Sequence, residues 1–135
     1  MTTEEVELKC KELLNLESSY FGNDKMDKIK QLIKDLKTKI KIAQNLKKSQ
    51  TLYVQGVINS IGEEYKKESE QFLTKSLKID PQNITGWNLL GETFIKKKDY
   101  NQAESCFNFA IKIVKKSQKK TKLSIRKKTP NLFVN

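Results

Sequence analysis

Apolar residues along this chain recur at helical steps, and no segment alternates as a strand would. Val6, Leu8, Leu13, Leu14 and Leu16 form a loose stripe that predicts a helix over 3–17. Thr3 caps it, and Glu4 and Glu5 suit the positive end of a helix dipole. The segment Ser18-Ser19-Tyr20-Phe21-Gly22-Asn23 interrupts the pattern, with Gly22-Asn23 as a stop and Asp24 as the next cap. Met26, Ile29, Leu32, Ile33, Leu36, Ile40, Ala43 and Leu46 then recur at steps of three or four, predicting a long amphipathic helix over 24–49 with lysines on its other face. The stripe lasts about three heptads, so it reads either as a coiled-coil pair or as a helix packed along an array. Four shorter helices are expected near 50–61, 64–79, 84–97 and 100–116. The breaks between them are Ile61-Gly62, Asp80-Pro81-Gln82-Asn83 and Lys98-Asp99; Pro81 cannot continue a helix and restricts Asp80 before it. The expected fold is all-α: antiparallel helix pairs preceded by a long amphipathic helix.

Residues 84–117 carry a sharper signal. Trp87, Leu90, Gly91 and Phe94 spell W-x2-L-G-x2-F, and Ala103, Phe107 and Ala110 spell A-x3-F-x2-A. This spacing resembles the tetratricopeptide repeat, two helices in about 34 residues. Trp87, Leu90 and Phe94 fall on one helix face as the expected core, while Gly91 and Ala103 are small enough for the two helices to approach. Phe107 is expected to fill the space between this pair and the next, and Asp99 to cap the second helix. A shift of about 34 residues back gives a weaker copy, with Tyr53 matched to Trp87, Leu73 to Phe107, Ser76 to Ala110 and Pro81 at the closing position. Gly56 falls one step out of register with Gly91, which implies an extra residue near Ile61-Gly62-Glu63. The chain thus divides into an N-terminal helix and turn (1–22), a long amphipathic helix (23–49), a degenerate repeat (50–83), a repeat (84–117) and a basic tail expected to be poorly ordered (118–135).

Composition narrows the function. With 135 residues the chain suits one domain, and its 5 glycines and 2 prolines are too few for an all-β fold. Histidine is absent, which removes the usual neutral-pH base, the commonest metal ligand and any Ser–His or Cys–His nucleophile. The glycines are scattered, so no phosphate-binding loop exists, and Cys10 and Cys106 form no metal-ligand spacing. An enzyme is therefore not expected, and no cofactor or metal is. No apolar run marks a signal peptide or membrane span, so a cytoplasmic or nuclear protein with reduced thiols is expected. The net charge is +11. From Ser105 onward there is no acidic residue, and Lys112, Lys115, Lys116, Lys119, Lys120, Lys122, Arg126, Lys127 and Lys128 supply nine positive charges.

The stretch from Gly56 to Ile113 also resembles the opening part of longer adaptors of the tetratricopeptide-repeat family. The residues that carry this are Ser76-Leu77-Lys78-Ile79-Asp80-Pro81, Trp87-Asn88, Leu90-Gly91-Glu92, Lys97, Asp99, Ala103 and Cys106-Phe107, with Ser19-Tyr20-Phe21 before a lysine-rich helix. The likeness covers roughly residues 12–116, as a truncated relative would. It implies a superhelical groove of repeats that, in those longer proteins, precedes an oligonucleotide/oligosaccharide-binding fold. It further implies an adaptor role, as a transcription cofactor or a factor recognising nascent tubulin. No tubulin-contacting residue is carried over, because the peptide-binding repeats of those proteins largely follow the part matched.

Two kinds of partner are expected. Thr85, Asn88, Glu92 and Lys96 share one face of the 84–97 helix and are candidates to hydrogen-bond a peptide; for each, an ordinary solvated side chain is the competing reading. The basic tail is the candidate for ribosome or RNA contact, against a merely solvated lysine-rich segment. Ile111, Ile113 and Val114 lack an evident cover, so they are expected either to pack on Leu123 and Ile125 of a folded-back tail or to self-associate.

Overall fold

The computed structural model describes residues 3–19, 24–42 and 46–128. Its helices are α1 Thr3–Ser19, α2 Lys25–Ile42, α3 Lys48–Ser60, α4 Lys67–Ile79, α5 Ile84–Lys96 and α6 Tyr100–Lys128, and no strand occurs among the described residues. The Gly22-Asn23 stop, Ala43 and the terminus from Thr129 lie outside the described residues.

The helices form three antiparallel hairpins, α1/α2, α3/α4 and α5/α6, with α4 joining the second to the third. The first hairpin was not read from the sequence as a unit. It packs on α3 through both of its helices, so α1 takes the place that α3 and α5 take in theirs. The backbones of α1 and α3 approach one another, as do those of α3 and α5, whereas those of α2, α4 and α6 stay apart among the described residues. That asymmetry makes α1, α3 and α5 the inner, concave layer and the other three the outer layer.

Small residues set the distances within the hairpins. A Cβ on Gly91 would sit 2.7 Å from Phe107 Cε1, and one on Gly56 would sit 2.6 Å from Leu73 Cδ2. These two glycine–partner pairs are the same contact repeated, and the offset of 35 residues at the glycines against 34 at their partners places the extra residue in the α3–α4 turn. With that offset Leu52, not Tyr53, stands opposite Trp87; Tyr53 is buried beside Cys10 of α1 instead. Ser69 and Ser76 take the places of Ala103 and Ala110, and their hydroxyls donate to the α3 carbonyls of Gly56 (3.3 Å) and Ser49 (2.7 Å). A buried hydroxyl so paired does not carry the cost of an unsatisfied polar group.

Caps set both ends of α5 and the start of α6. Asn83 Oδ1 accepts the Gly86 amide at 3.0 Å and starts α5. At its end the Asp99 amide donates to Phe94 O and the Lys98 amide to Ile95 O, both at 2.9 Å, with Lys98 at φ 66°. This is a Schellman closure, with lysine where glycine is usual. Asp99 Oδ1 accepts the Gln102 amide at 3.3 Å and starts α6.

Four expectations are corrected. The helix expected over 24–49 is not continuous: it is described over Lys25–Ile42, Leu46 and Lys47 are non-helical, and α3 begins at Lys48 rather than 50. Lys47 is extended (φ −66°, ψ 150°), and its amide donates to Gln50 Oε1 at 3.1 Å, a local cap that competes with helix continuation. Leu8 and Met26, counted into the stripes, are 67% and 58% exposed; the inward stripe of α1 is Val6, Cys10 and Leu13. The tail beyond 118 is helical as far as Lys128, because α6 meets no Gly or Pro before Pro130 and its Lys, Gln, Leu and Arg residues are good helix formers. Since α6 is one continuous helix, Leu123 and Ile125 are not folded back on Ile111 and Val114, which are 49% and 37% exposed.

Candidate groove on the inner helix layer

The inner helices run parallel. Val6, Glu7 and Lys11 of α1 lie beside Ser49, Gln50 and Tyr53 at the start of α3. At the far end the Gly62 amide, just past α3, donates to Glu17 Oε1 at 2.8 Å. α1 and α5 therefore stand as the two walls of a groove with α3 between them.

Thr85, Asn88, Glu92 and Lys96 all line one part of this groove, together with Leu89 of α5, Leu14, Asn15 and Glu17 of α1, and Ser60 of α3; it holds ≈ 380 Å³. The spacing 85, 88, 92, 96 follows the helix period, which is why one face of α5 supplies all four. Thr85 also lines a second cavity of ≈ 370 Å³ at the helix N-termini, with Glu7, Lys11, Gln50, Tyr53 and Asp80 among its walls, so the two cavities share that side chain. The walls offer carboxylates, amides, hydroxyls and ammonium groups over a few apolar side chains. Such a lining suits hydrogen bonding to a peptide and has no assembled base or nucleophile.

Two groups are specifically placed. Lys96 Nζ donates to Ser60 O at 2.7 Å, which ties α5 to the C-terminal end of α3. The Glu92 carboxyl is shifted upward, chiefly by burial; Lys96 opposes that shift and the Glu17 carboxylate adds to it. Two carboxylates thus face the same end of the groove, and Glu92 stays exposed there. Burial also pushes the Cys10 thiol up to about 12, with Glu7 adding to the effect, and the Cys106 thiol to about 11. Both thiols stay protonated near neutral pH, the form that is a poor nucleophile. Among the described residues no group of three His, Cys, Asp or Glu side chains is close enough to hold a metal ion.

The repeat positions divide by burial. Leu90, Gly91, Phe94, Ala103 and Ala110 are buried, while Trp87 and Phe107 are half-buried. The Trp87 indole was expected in the core. It lies at the edge of the α5/α6 hairpin, stacked on Phe109 with centroids 4.8 Å apart, and its Nε1 donates to Pro81 O at 2.8 Å. An indole with a polar edge is satisfied by that arrangement, since one end is apolar and the other bonded. Lys115, Lys116, Lys119 and Lys120 are exposed on α6, and Lys122, Arg126, Lys127 and Lys128 continue the same helix.

Sequence reasoning missed the α1 wall, Leu14, Asn15 and Glu17. The signal was there in Val6, Cys10 and Leu13, at i, i+4 and i+7, once the cysteine is counted as the small apolar residue it is when buried.

Residues 84–115 match the family model of the tetratricopeptide repeat. The chain is similar to human tetratricopeptide repeat protein 5, 30% identical over 91 residues, which is 67% of this chain and 21% of the relative. It is also similar to the mouse protein of that name, 35% identical over 63 residues, and to the bovine one, 33% identical over 63 residues; each match covers 47% of this chain and 14% of the relative. The chain thus spans about a fifth or less of the length of these relatives.

Proposed function

With a tetratricopeptide repeat established in an all-helical array, we propose that the chain is a non-catalytic protein-binding scaffold that holds a peptide segment in its inner groove. The observation that carries this reading is the convergence of Thr85, Asn88, Glu92 and Lys96 from α5 with Asn15 and Glu17 from α1 on one groove. Concave faces of stacked helical repeats serve as extended binding surfaces. The narrower roles implied by resemblance, a transcription cofactor or a factor recognising nascent tubulin in the cytoplasm or nucleus, assign no contact to this groove, because the peptide-binding repeats of the longer proteins largely follow the part matched. Peptides selected from a displayed library against the wild-type chain test the reading. Asn88→Ala with Glu92→Ala is expected to weaken the selected peptides about tenfold, equivalent to about 1.4 kcal/mol, with helicity unchanged. Selected peptides that bind the double variant as well as wild type would show that the groove is not the site.

A second reading places ribosome or RNA contact on the C-terminal half of α6, where no acidic residue follows Glu104. Binding through that segment is expected to weaken steeply with salt and to disappear on deleting residues 117–135.

A further inference from the structure

Charge in this molecule is sorted by layer. In the outer layer, α2 carries seven lysines against two aspartates, α4 three lysines against two glutamates, and α6 eight lysines and one arginine against one glutamate, for a net of +14. In the inner layer, α1 carries five glutamates against two lysines, α3 one lysine, and in α5 Glu92 and Lys96 cancel, for a net of −2. A chain merely rich in lysine would spread the excess over both layers. Here the groove side is faintly acidic and the convex side holds the whole excess.

Within the outer layer α2 has the most regular arrangement. Lys30, Lys34, Lys37 and Lys41 recur at i, i+4, i+7 and i+11, so they form one row about 16 Å long at 1.5 Å per residue. All four are exposed, and none has a carboxylate within ion-pair distance among the described residues. Lys28, just before the row, does pair with a carboxylate, that of Asp24 at 3.5 Å. Thr38 and Ile33 lie between the lysines and make the row a shallow trough. Like charges at i, i+4 oppose helix formation, so the row is a local stability cost that the packing of Ile29 and Leu36 has to offset.

We propose that the outer layer docks on the phosphate backbone of a nucleic-acid duplex, with the Lys30, Lys34, Lys37 and Lys41 row of α2 as its central contact. The partner follows from the chemistry. A regular row of point charges on flexible arms complements a regular row of phosphates, and binding releases the counterions condensed on them. An anionic membrane is the poorer fit, because beside the row α2 offers only Met26, one turn before Lys30, and a half-buried Ile33, while Ile29 and Leu36 are buried, too little apolar surface to seat the helix in a bilayer. No aromatic side chain stands in the trough to stack on a base, so recognition is of the backbone and independent of sequence. The convex side would then hold a nucleic-acid surface while the opposite, groove side stays free. This inference does not depend on the groove reading, and it places the central contact on α2 rather than on the α6 segment.

The test uses the full chain and a fluorescein-labelled RNA duplex of 24 base pairs, with the matching DNA duplex as a second probe, titrated by anisotropy between about 50 and 200 mM KCl. Wild type is expected to bind both. The variant K30Q/K34Q/K37Q/K41Q is expected to lose at least about tenfold in affinity at 100 mM, and its slope of log K against log salt is expected to fall by about 3 to 4. A control that removes the same charge elsewhere, K9Q/K47Q/K48Q/K98Q, is expected to change affinity much less, and circular dichroism melting checks that all variants are folded. The proposal is overturned by no duplex binding by wild type, whether or not it binds phosphatidylserine vesicles; by an unchanged slope in the α2 variant; or by an equal loss in the control, which would make net charge the cause. Loss on deleting 117–135 with the α2 variant intact also overturns it and moves the contact to α6.

Discussion

The glycines decide the distance between paired helices, and the sign of a substitution there is set by space rather than propensity. Alanine in a helix interior is favoured over glycine by about 0.5–1 kcal/mol. At Gly91 the added carbon would sit 2.7 Å from the Phe107 ring, so the gain is overridden and Gly91→Ala is expected to destabilise by about 1–3 kcal/mol. Adding Phe107→Leu should recover part of that loss in a double-mutant cycle followed by urea unfolding; strictly additive losses would mean the ring is not the obstacle. Lys98 gives the opposite case. It holds φ 66° at the end of α5, where glycine pays no Cβ penalty, so Lys98→Gly is expected to stabilise by about 0.5–1 kcal/mol in the same assay. The first of these positions was legible from sequence, because a small residue at a fixed distance from a large one is a spacing signal. The second was not: lysine carries no local preference for a left-handed conformation, and the Schellman closure imposes it from the helix on one side and the Asp99 cap on the other.

At the level of elements, the offset between repeats lets one helix predict the exposure of another. Leu77 of α4 is 3% exposed and packs at the start of α5, where a Cβ on Gly86 would lie 3.1 Å from Leu77 Cδ2. Its counterpart one repeat on is Ile111 of α6, which is 49% exposed. Leu77→Ala is therefore expected to cost about 2–4 kcal/mol and Ile111→Ala less than about 1 kcal/mol in thermal unfolding of the monomer. A large loss at Ile111, growing with protein concentration, would instead reveal a copy seated on that face. The same pairing explains which helices sequence could place. Helices α5 and α6 have their stop signals in proline, aspartate and a small turn, and their spacing was readable. The boundary between α2 and α3 was not, because Ile40, Ala43 and Leu46 keep helical spacing across it and no Gly or Pro interrupts them. Leu46 instead packs against the core from a non-helical position, and the Lys47–Gln50 cap starts a new helix. Likewise α1 read as a marginal helix because Leu8 was taken as inward. Its real stripe runs through Cys10, and with it goes one whole wall of the groove.

Across the whole molecule, the unequal charge of the two layers makes a prediction about stability as well as binding. The excess of lysine in the tail was visible in the sequence, but the layering was not, since it depends on alternate helices facing the same way. Lysines along α2 and along α6 lie within a Debye length of their neighbours at low salt, about 20 Å near 20 mM, and few acidic residues share these two helices with them. Repulsion of this kind opposes the compact state and weakens as salt screens it. Raising NaCl from about 20 to 200 mM is therefore expected to raise the melting temperature, by about 3 °C if the screened repulsion is worth about 1 kcal/mol. The variant K30Q/K34Q/K37Q/K41Q should melt higher than wild type at 20 mM and lose most of that advantage at 200 mM. A melting temperature that ignores salt in both proteins would mean that the lysine arms relax into solvent far enough to cancel their repulsion, and that the layered charge carries no stability cost. If the variant is more stable at low salt yet binds a duplex less well, the same four side chains are shown to trade folding stability for attraction to phosphate. An ordinary solvated face, whose charges neither strain the helix nor meet a partner, would show neither effect.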